Sequence, residues 1–113
     1  MNTIQELYQV VLNRKEFPEG NSYTCYLFNA GLDKILKKCG EETAEVIIAA
    51  KNAKAGASTG NHELKNEIAD LIYHILVLCA DRGLDWSEVE QVLHERSLKI
   101  GNLKEFKQTD KDT

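Results

Sequence analysis

Apolar residues recur at three- and four-residue spacing along most of this chain, and no segment shows the two-residue alternation of a half-buried strand. Ile4, Leu7, Tyr8, Val11 and Leu12 make the stripe of a first helix, with Thr3 and Glu6 in capping-box register and Pro18 beyond its end. Residues 17–21 read as a loop. Ser22 is placed to cap a short second helix through Asn29, closed by Gly31 as a left-handed C-cap. A long third helix is predicted from Leu32 or Asp33 to about Lys54. Gly40 lies inside it at a cost of ~1 kcal/mol relative to alanine. That glycine either admits a close approach by backbone or ligand or is a tolerated packing glycine. The small residues 55–60 connect this helix to an antiparallel fourth one, which opens at Asn61 or His62 and ends at Gly83. Asp85 and Glu88 repeat the capping-box spacing before a last helix, whose inward residues are predicted to be Trp86, Val89, Val92, Leu93 and Ile100. The pattern predicts an all-α bundle of four to five helices as one domain over residues 1–103, followed by a polar, frayed tail over 104–113.

Acidic residues interrupt this pattern where hydrocarbon is expected. On a helical wheel Ile35, Cys39, Val46, Ala49 and Ala50 share a stripe, and Glu42 falls near its middle. Glu45 lies at the edge and Glu41 slightly beyond. In the fourth helix residues 68–80 are apolar nearly all round, broken by Asp70, Tyr73 and His74. There Glu67, Asp70 and His74 share a face with Leu71, Val77 and Leu78. An ionised carboxylate is expensive to bury alone. Glu42 with Glu45, and Glu67 with Asp70, are pairs three residues apart and so lie side by side on their helices. Two such pairs on facing antiparallel helices would place four carboxylates around one small volume. Hard oxygen ligands suit Mg²⁺, with Mn²⁺ as a substitute, better than zinc. Carboxylate-held magnesium commonly shares its remaining positions with water and substrate phosphates, which points to phosphoryl or pyrophosphoryl chemistry. Lys34, Lys37 and Lys38 precede the acids on the same helix, as phosphate contacts or as solvated lysines. His74 is either a partner that orients Asp70 or a satisfied core histidine. A di-iron bundle would need Glu-x-x-His pairs, and the chain has none.

Composition narrows the class. With 113 residues, 42% hydrophobic and 28% charged, the chain fits one soluble domain with a modest core. A net charge of −4 excludes the broad basic footprint of a nucleic-acid binder. The three cysteines, Cys25, Cys39 and Cys79, lack CxxC spacing, so free thiols and a cytoplasmic location are expected. The amino-terminal residues do not read as a signal peptide, and residues 68–80 are too few to span a bilayer, so no membrane partner is expected. Because that run is apolar all round, a homodimer is expected to cover part of it. A catalytically silent helical dimerisation module is the contrasting possibility.

Residues 21–24 (Asn-Ser-Tyr-Thr), Leu27-Phe28, and the run from Gly31 through Lys38 to the Gly-Glu-Glu-Thr-Ala-Glu of residues 40–45 resemble the phosphoribosyl-ATP pyrophosphatase family. So do residues 49–52, the Glu-Ile-Ala-Asp-Leu-Ile-Tyr-His of residues 67–74, and Leu76-Val-Leu. The match runs from about Leu7 to Arg96 and is weaker beyond. The acidic pattern is shared with the wider all-α MazG-like nucleotide pyrophosphohydrolases. The resemblance implies Mg²⁺-dependent hydrolysis of phosphoribosyl-ATP to phosphoribosyl-AMP and pyrophosphate, the second step of histidine biosynthesis, by a homodimer. The alternative within the superfamily is a house-cleaning pyrophosphatase of (d)NTPs such as dUTP. By motif, Glu42, Glu45, Glu67 and Asp70 correspond to metal ligands, and Glu41 to a further ligand or a water-activating base. Catalysis is then expected of Glu41, Glu42 and Glu45. Lys34, Lys37 and Lys38 correspond to phosphate contacts, and Ser22, Tyr23 and Thr24 to a substrate-facing segment. This domain is fused to the next enzyme of the pathway in many organisms; here a separate cyclohydrolase is expected.

Overall fold

A computed structural model describes residues 2–56, 58, 60–99, 104 and 106–107, and these form five α-helices with no strand among them. The helices are α1 (Thr3–Glu16), α2 (Tyr23–Ala30), α3 (Leu32–Lys54), α4 (Gly60–Asp81) and α5 (Trp86–Ser97). Local chemistry accounts for most of their ends. Asn2, rather than Thr3, caps α1, its side-chain oxygen accepting from the Gln5 N–H at 3.1 Å. Ser22 caps α2 through the Cys25 N–H. Gly31, at φ 95°, closes α2 and opens α3 in one residue, a conformation an L side chain resists. The Asp85–Glu88 capping box is present at the start of α5. Lys15 reaches across from α1 to donate to the Ala80 carbonyl at 2.7 Å, satisfying an acceptor near the end of α4.

α3 and α4 pack along their length as an antiparallel hairpin, and α1 and α2 lie against it. Tyr8, Val11, Leu27, Ile35, Leu76, Val77 and Trp86 make the core. The Tyr8 hydroxyl is satisfied inside it by the Leu84 carbonyl at 2.8 Å. Cys25 and Cys79 are buried and Cys39 half-buried, all with free thiols. Burial holds the Cys79 thiol above its ordinary pKa, so it is protonated and unreactive.

Two expectations are corrected. Val92 and Leu93 of α5 point outward, 45% and 54% exposed, while Trp86 is buried and Val89 partly so. The apolar stripe of α5 is wider than the strip of core that α1 offers it. Of residues 68–80, the run from 71 is covered within the chain while Ile68 is exposed, and α3 adds Leu36, Ile47 and Ile48 to the exposed apolar side chains. Gly40 shares the exposed stripe with Leu36 and Ile47, and a Cβ built there meets nothing within 4 Å. Within one chain it is therefore not a packing glycine. Ile100 and nearly all of the tail over 104–113 lie outside the described residues.

Candidate active site

The α3–α4 hairpin brings acids from both helices to one place. Glu42 from α3 and Glu67 and Asp70 from α4 each present a carboxylate oxygen within 4.8 Å of the others. Helical spacing explains the α4 pair, and antiparallel packing supplies Glu42 from the middle of the α3 stripe. Glu42 and Glu67 are half-buried and Asp70 is exposed. Glu45, one turn along α3, is exposed and stands outside this group of three, although its charge reaches Glu67. Desolvation pushes the Glu67 carboxyl above its ordinary pKa, and the charges of Asp70, Glu45 and Glu42 push the same way. A hydrogen bond with Glu42 that only the protonated acid makes adds to the shift.

The three carboxylates of the cluster outnumber the cations beside them. Among the described residues the cation nearest to it is Lys38, whose Nζ lies 3.8 Å from Glu42. Lys38 is committed more closely to Glu41, at 3.1 Å, and Lys37 approaches Glu41 at 3.8 Å. The hydrogen bond from Lys38, aided by the charges of Lys37 and Lys34, holds Glu41 below the ordinary carboxylate range despite some desolvation. In turn Glu41 raises the Lys38 pKa, with smaller help from Tyr23 and Glu42. Glu41 therefore faces the lysines while Glu42 faces α4. An all-oxygen donor set with this repulsion fits a hard divalent cation of the Mg²⁺ type.

Ser22, Tyr23 and Thr24 all make bonds within the chain. The Ser22 hydroxyl caps α2, the Tyr23 hydroxyl lies 3.1 Å from His74 Nε2, and Thr24 Oγ1 pairs with the Tyr73 hydroxyl. His74 is buried, and its Nδ1 meets the Asp70 backbone carbonyl at 2.7 Å rather than the carboxylate. Both ring nitrogens of His74 are thus satisfied within the fold. Tyr23, Tyr26, Tyr73 and His74 form a ring cluster that sequence periodicity does not predict. The i,i+3 spacing of the two α2 tyrosines was visible, but no local spacing ties them to α4. A surface depression of about 520 Å³ beside Ser22 and Tyr26, and an apolar groove of about 350 Å³ along α5, include none of the clustered acids.

Fold and site together define a class: a helical-bundle protein whose two longest helices hold a carboxylate cluster between them, with lysines one turn away. The chain belongs to the phosphoribosyl-ATP pyrophosphohydrolase family, whose model matches residues 4–97. It is 49% identical over 107 residues to a phosphoribosyl-ATP pyrophosphatase of Listeria welshimeri, covering 95% of this chain and 97% of that one. It is 48% identical over 105 residues to the protein of that name from Lactiplantibacillus plantarum, covering 93% of each. A similar protein of the same name from Clostridium novyi is 47% identical over 104 residues, covering 92% of this chain and 89% of its own.

Proposed function

We propose that this chain hydrolyses phosphoribosyl-ATP to phosphoribosyl-AMP and pyrophosphate, the second step of histidine biosynthesis. Membership of the family, with near full-length identity to proteins named for that activity, carries the assignment. The clustering of Glu42, Glu67 and Asp70 is the structural observation that supports it.

Glu42, Glu67 and Asp70 would hold Mg²⁺, or Mn²⁺ in its place, with Glu45 as a further ligand or the base that takes a proton from the attacking water. When bound, such an ion neutralises phosphate charge and lowers the pKa of a coordinated water. Lys34, Lys37 and Lys38 line the same end of α3, where ammonium groups would meet the pyrophosphate leaving group. Engaging phosphate requires Lys38 to exchange Glu41 for substrate, which makes Glu41 the group that holds the lysines ready. Its lowered proton affinity makes Glu41 a poor base. We place the Ser22–Thr24 segment at the edge of this site, with its hydroxyls turned into the fold.

A homodimer follows from the exposed apolar residues. Leu36, Ile47 and Ile48 on α3 and Ile68 on α4 leave hydrocarbon in water that a second copy would cover. Free thiols among the described cysteines fit a reducing, cytoplasmic setting, and no described helix is long and apolar enough to cross a membrane. Release of pyrophosphate from phosphoribosyl-ATP, dUTP and dCTP, measured side by side with and without Mg²⁺, tests the assignment. Turnover confined to phosphoribosyl-ATP is expected, and a preference for dUTP or dCTP would move the chain to the house-cleaning enzymes.

A further inference from the structure

We propose that Tyr23 and His74 are positioning residues for the Asp70 end of the carboxylate cluster, joining α2 to the turn of α4 that carries Asp70. The assignment of hydrogens follows from the partners. A backbone carbonyl only accepts, so His74 Nδ1 carries the proton in its 2.7 Å bond to Asp70. In the neutral ring Nε2 is then an acceptor, and the Tyr23 hydroxyl at 3.1 Å donates to it. With its hydrogen committed to His74, the Tyr23 hydroxyl is held toward α4. One residue further along α2 and one residue back along α4, Thr24 and Tyr73 join their hydroxyls in a second bond between the helices. Edge contacts of His74 with the Tyr23 and Tyr73 rings, at interplanar angles of 81° and 79°, fix the imidazole between them.

This double tie has a mechanical reason. Glu42, Glu67 and Asp70 repel one another across the α3–α4 hairpin, and that repulsion favours rotating α4 away from α3. α2 touches both helices, and its bonds to residues 73 and 74 oppose the rotation one turn beyond Asp70. His74 is only 4% exposed, so water does not replace a lost partner there without rearrangement. Tyr23 thus stands behind the site, through His74, rather than presenting its proton to a phosphate.

The inference rests on the proposal that the cluster holds a divalent cation, and the test separates the two. Metal-free protein is titrated with Mn²⁺ alone by calorimetry, as wild type, Tyr23→Phe, His74→Asn and His74→Gln. An asparagine amide stands where Nδ1 stood and keeps the bond to Asp70, whereas glutamine reaches the Nε2 position and keeps Tyr23. Tyr23→Phe is expected to weaken Mn²⁺ binding about tenfold, the low end of the roughly 10–100-fold range for groups behind metal ligands. Combining it with His74→Asn should weaken binding no further, because both cut the same bond. His74→Gln should weaken it separately, and KM for phosphoribosyl-ATP at saturating Mn²⁺ should stay within twofold. Unchanged Mn²⁺ affinity in Tyr23→Phe, with or without a lower melting temperature, overturns the inference and leaves the metal site standing. A raised KM with intact Mn²⁺ affinity also overturns it, placing Tyr23 on the phosphate. A wild type that binds no Mn²⁺ sinks both proposals. If the His74 variants do not fold, Tyr23→Phe, which keeps its ring, decides alone.

Discussion

Glu42 and Asp70 sit on different helices yet within one carboxylate cluster, so removing the charge of either should have the same consequence. Glu42→Gln and Asp70→Asn are near-isosteric and leave the packing intact. Each should lower kcat by about a hundredfold or more, since charge neutralisation at phosphate is worth several kcal/mol and about 1.4 kcal/mol is tenfold. Unaltered helical circular dichroism alongside that loss would place the effect at the site. Glu41→Gln is a sharper probe. Its ion pairs with Lys37 and Lys38 are solvent-exposed surface pairs, which contribute little. If Glu41 only holds the lysines, kcat falls less than about tenfold; a loss as deep as that of Glu42→Gln would make it the base. Glu67 predicts a pH effect whose sign can be worked out. Its folded pKa is raised, so the folded state binds the proton more tightly than the unfolded chain does. Metal-free protein should therefore lose stability as pH rises from the ordinary glutamate value through the raised one. Glu67→Gln should remove that loss and raise the melting temperature of metal-free protein near neutral pH, while abolishing turnover. A lower melting temperature in that variant would contradict the repulsion. Glu42, Glu67 and Asp70 were legible in the sequence because helical spacing is a local rule and antiparallel pairing follows from a short connection. Glu45 shared the same spacing, but the rule does not fix which edge residue faces the partner helix, and Glu45 lies outside the group of three.

Helix ends were nearly all legible, because caps are chemistry within four residues. The Asp85–Glu88 box and the Ser22 cap occur as their spacing predicts, and Asn2 takes the place expected of Thr3 because the helix begins one residue earlier. Asp85 is away from the acids, so Asp85→Ala should cost about 1 kcal/mol and lower the melting temperature by roughly 4 °C, with activity retained at low temperature. A calorimetric scan with a parallel activity assay checks both parts. What covers a helix was less legible than where it ends. Val92 and Leu93 carry the periodicity of buried residues, yet periodicity names a face and not the surface that meets it. The bonds from Tyr23 to His74 and from Thr24 to Tyr73 join α2 to α4 across about fifty residues of chain. No spacing rule reaches that far.

At the scale of the whole molecule, one chain supplies the clustered acids, the lysines and the tie from α2, while leaving Leu36, Ile47 and Ile48 in water. Light scattering should give twice the chain mass. Mg²⁺ should raise the melting temperature more near neutral pH than at pH values where Glu67 is protonated, because only the ionised cluster attracts the cation. Equal shifts at both pH values would detach the metal from these acids.

Gly40 turns the proposed assembly into a question of concentration. It interrupts an exposed helical stripe and meets nothing within its own chain. In a lone chain Gly40→Ala should therefore stabilise α3 by about 0.5–1 kcal/mol, through the entropy the glycine gives the unfolded state. Where a partner helix lies against that stripe, the added methyl stands in the contact. Dilute samples of the variant should melt above wild type and concentrated samples below it, with the two melting curves changing order near the dissociation constant of the dimer. A variant that stays above wild type at every concentration would place the interface elsewhere.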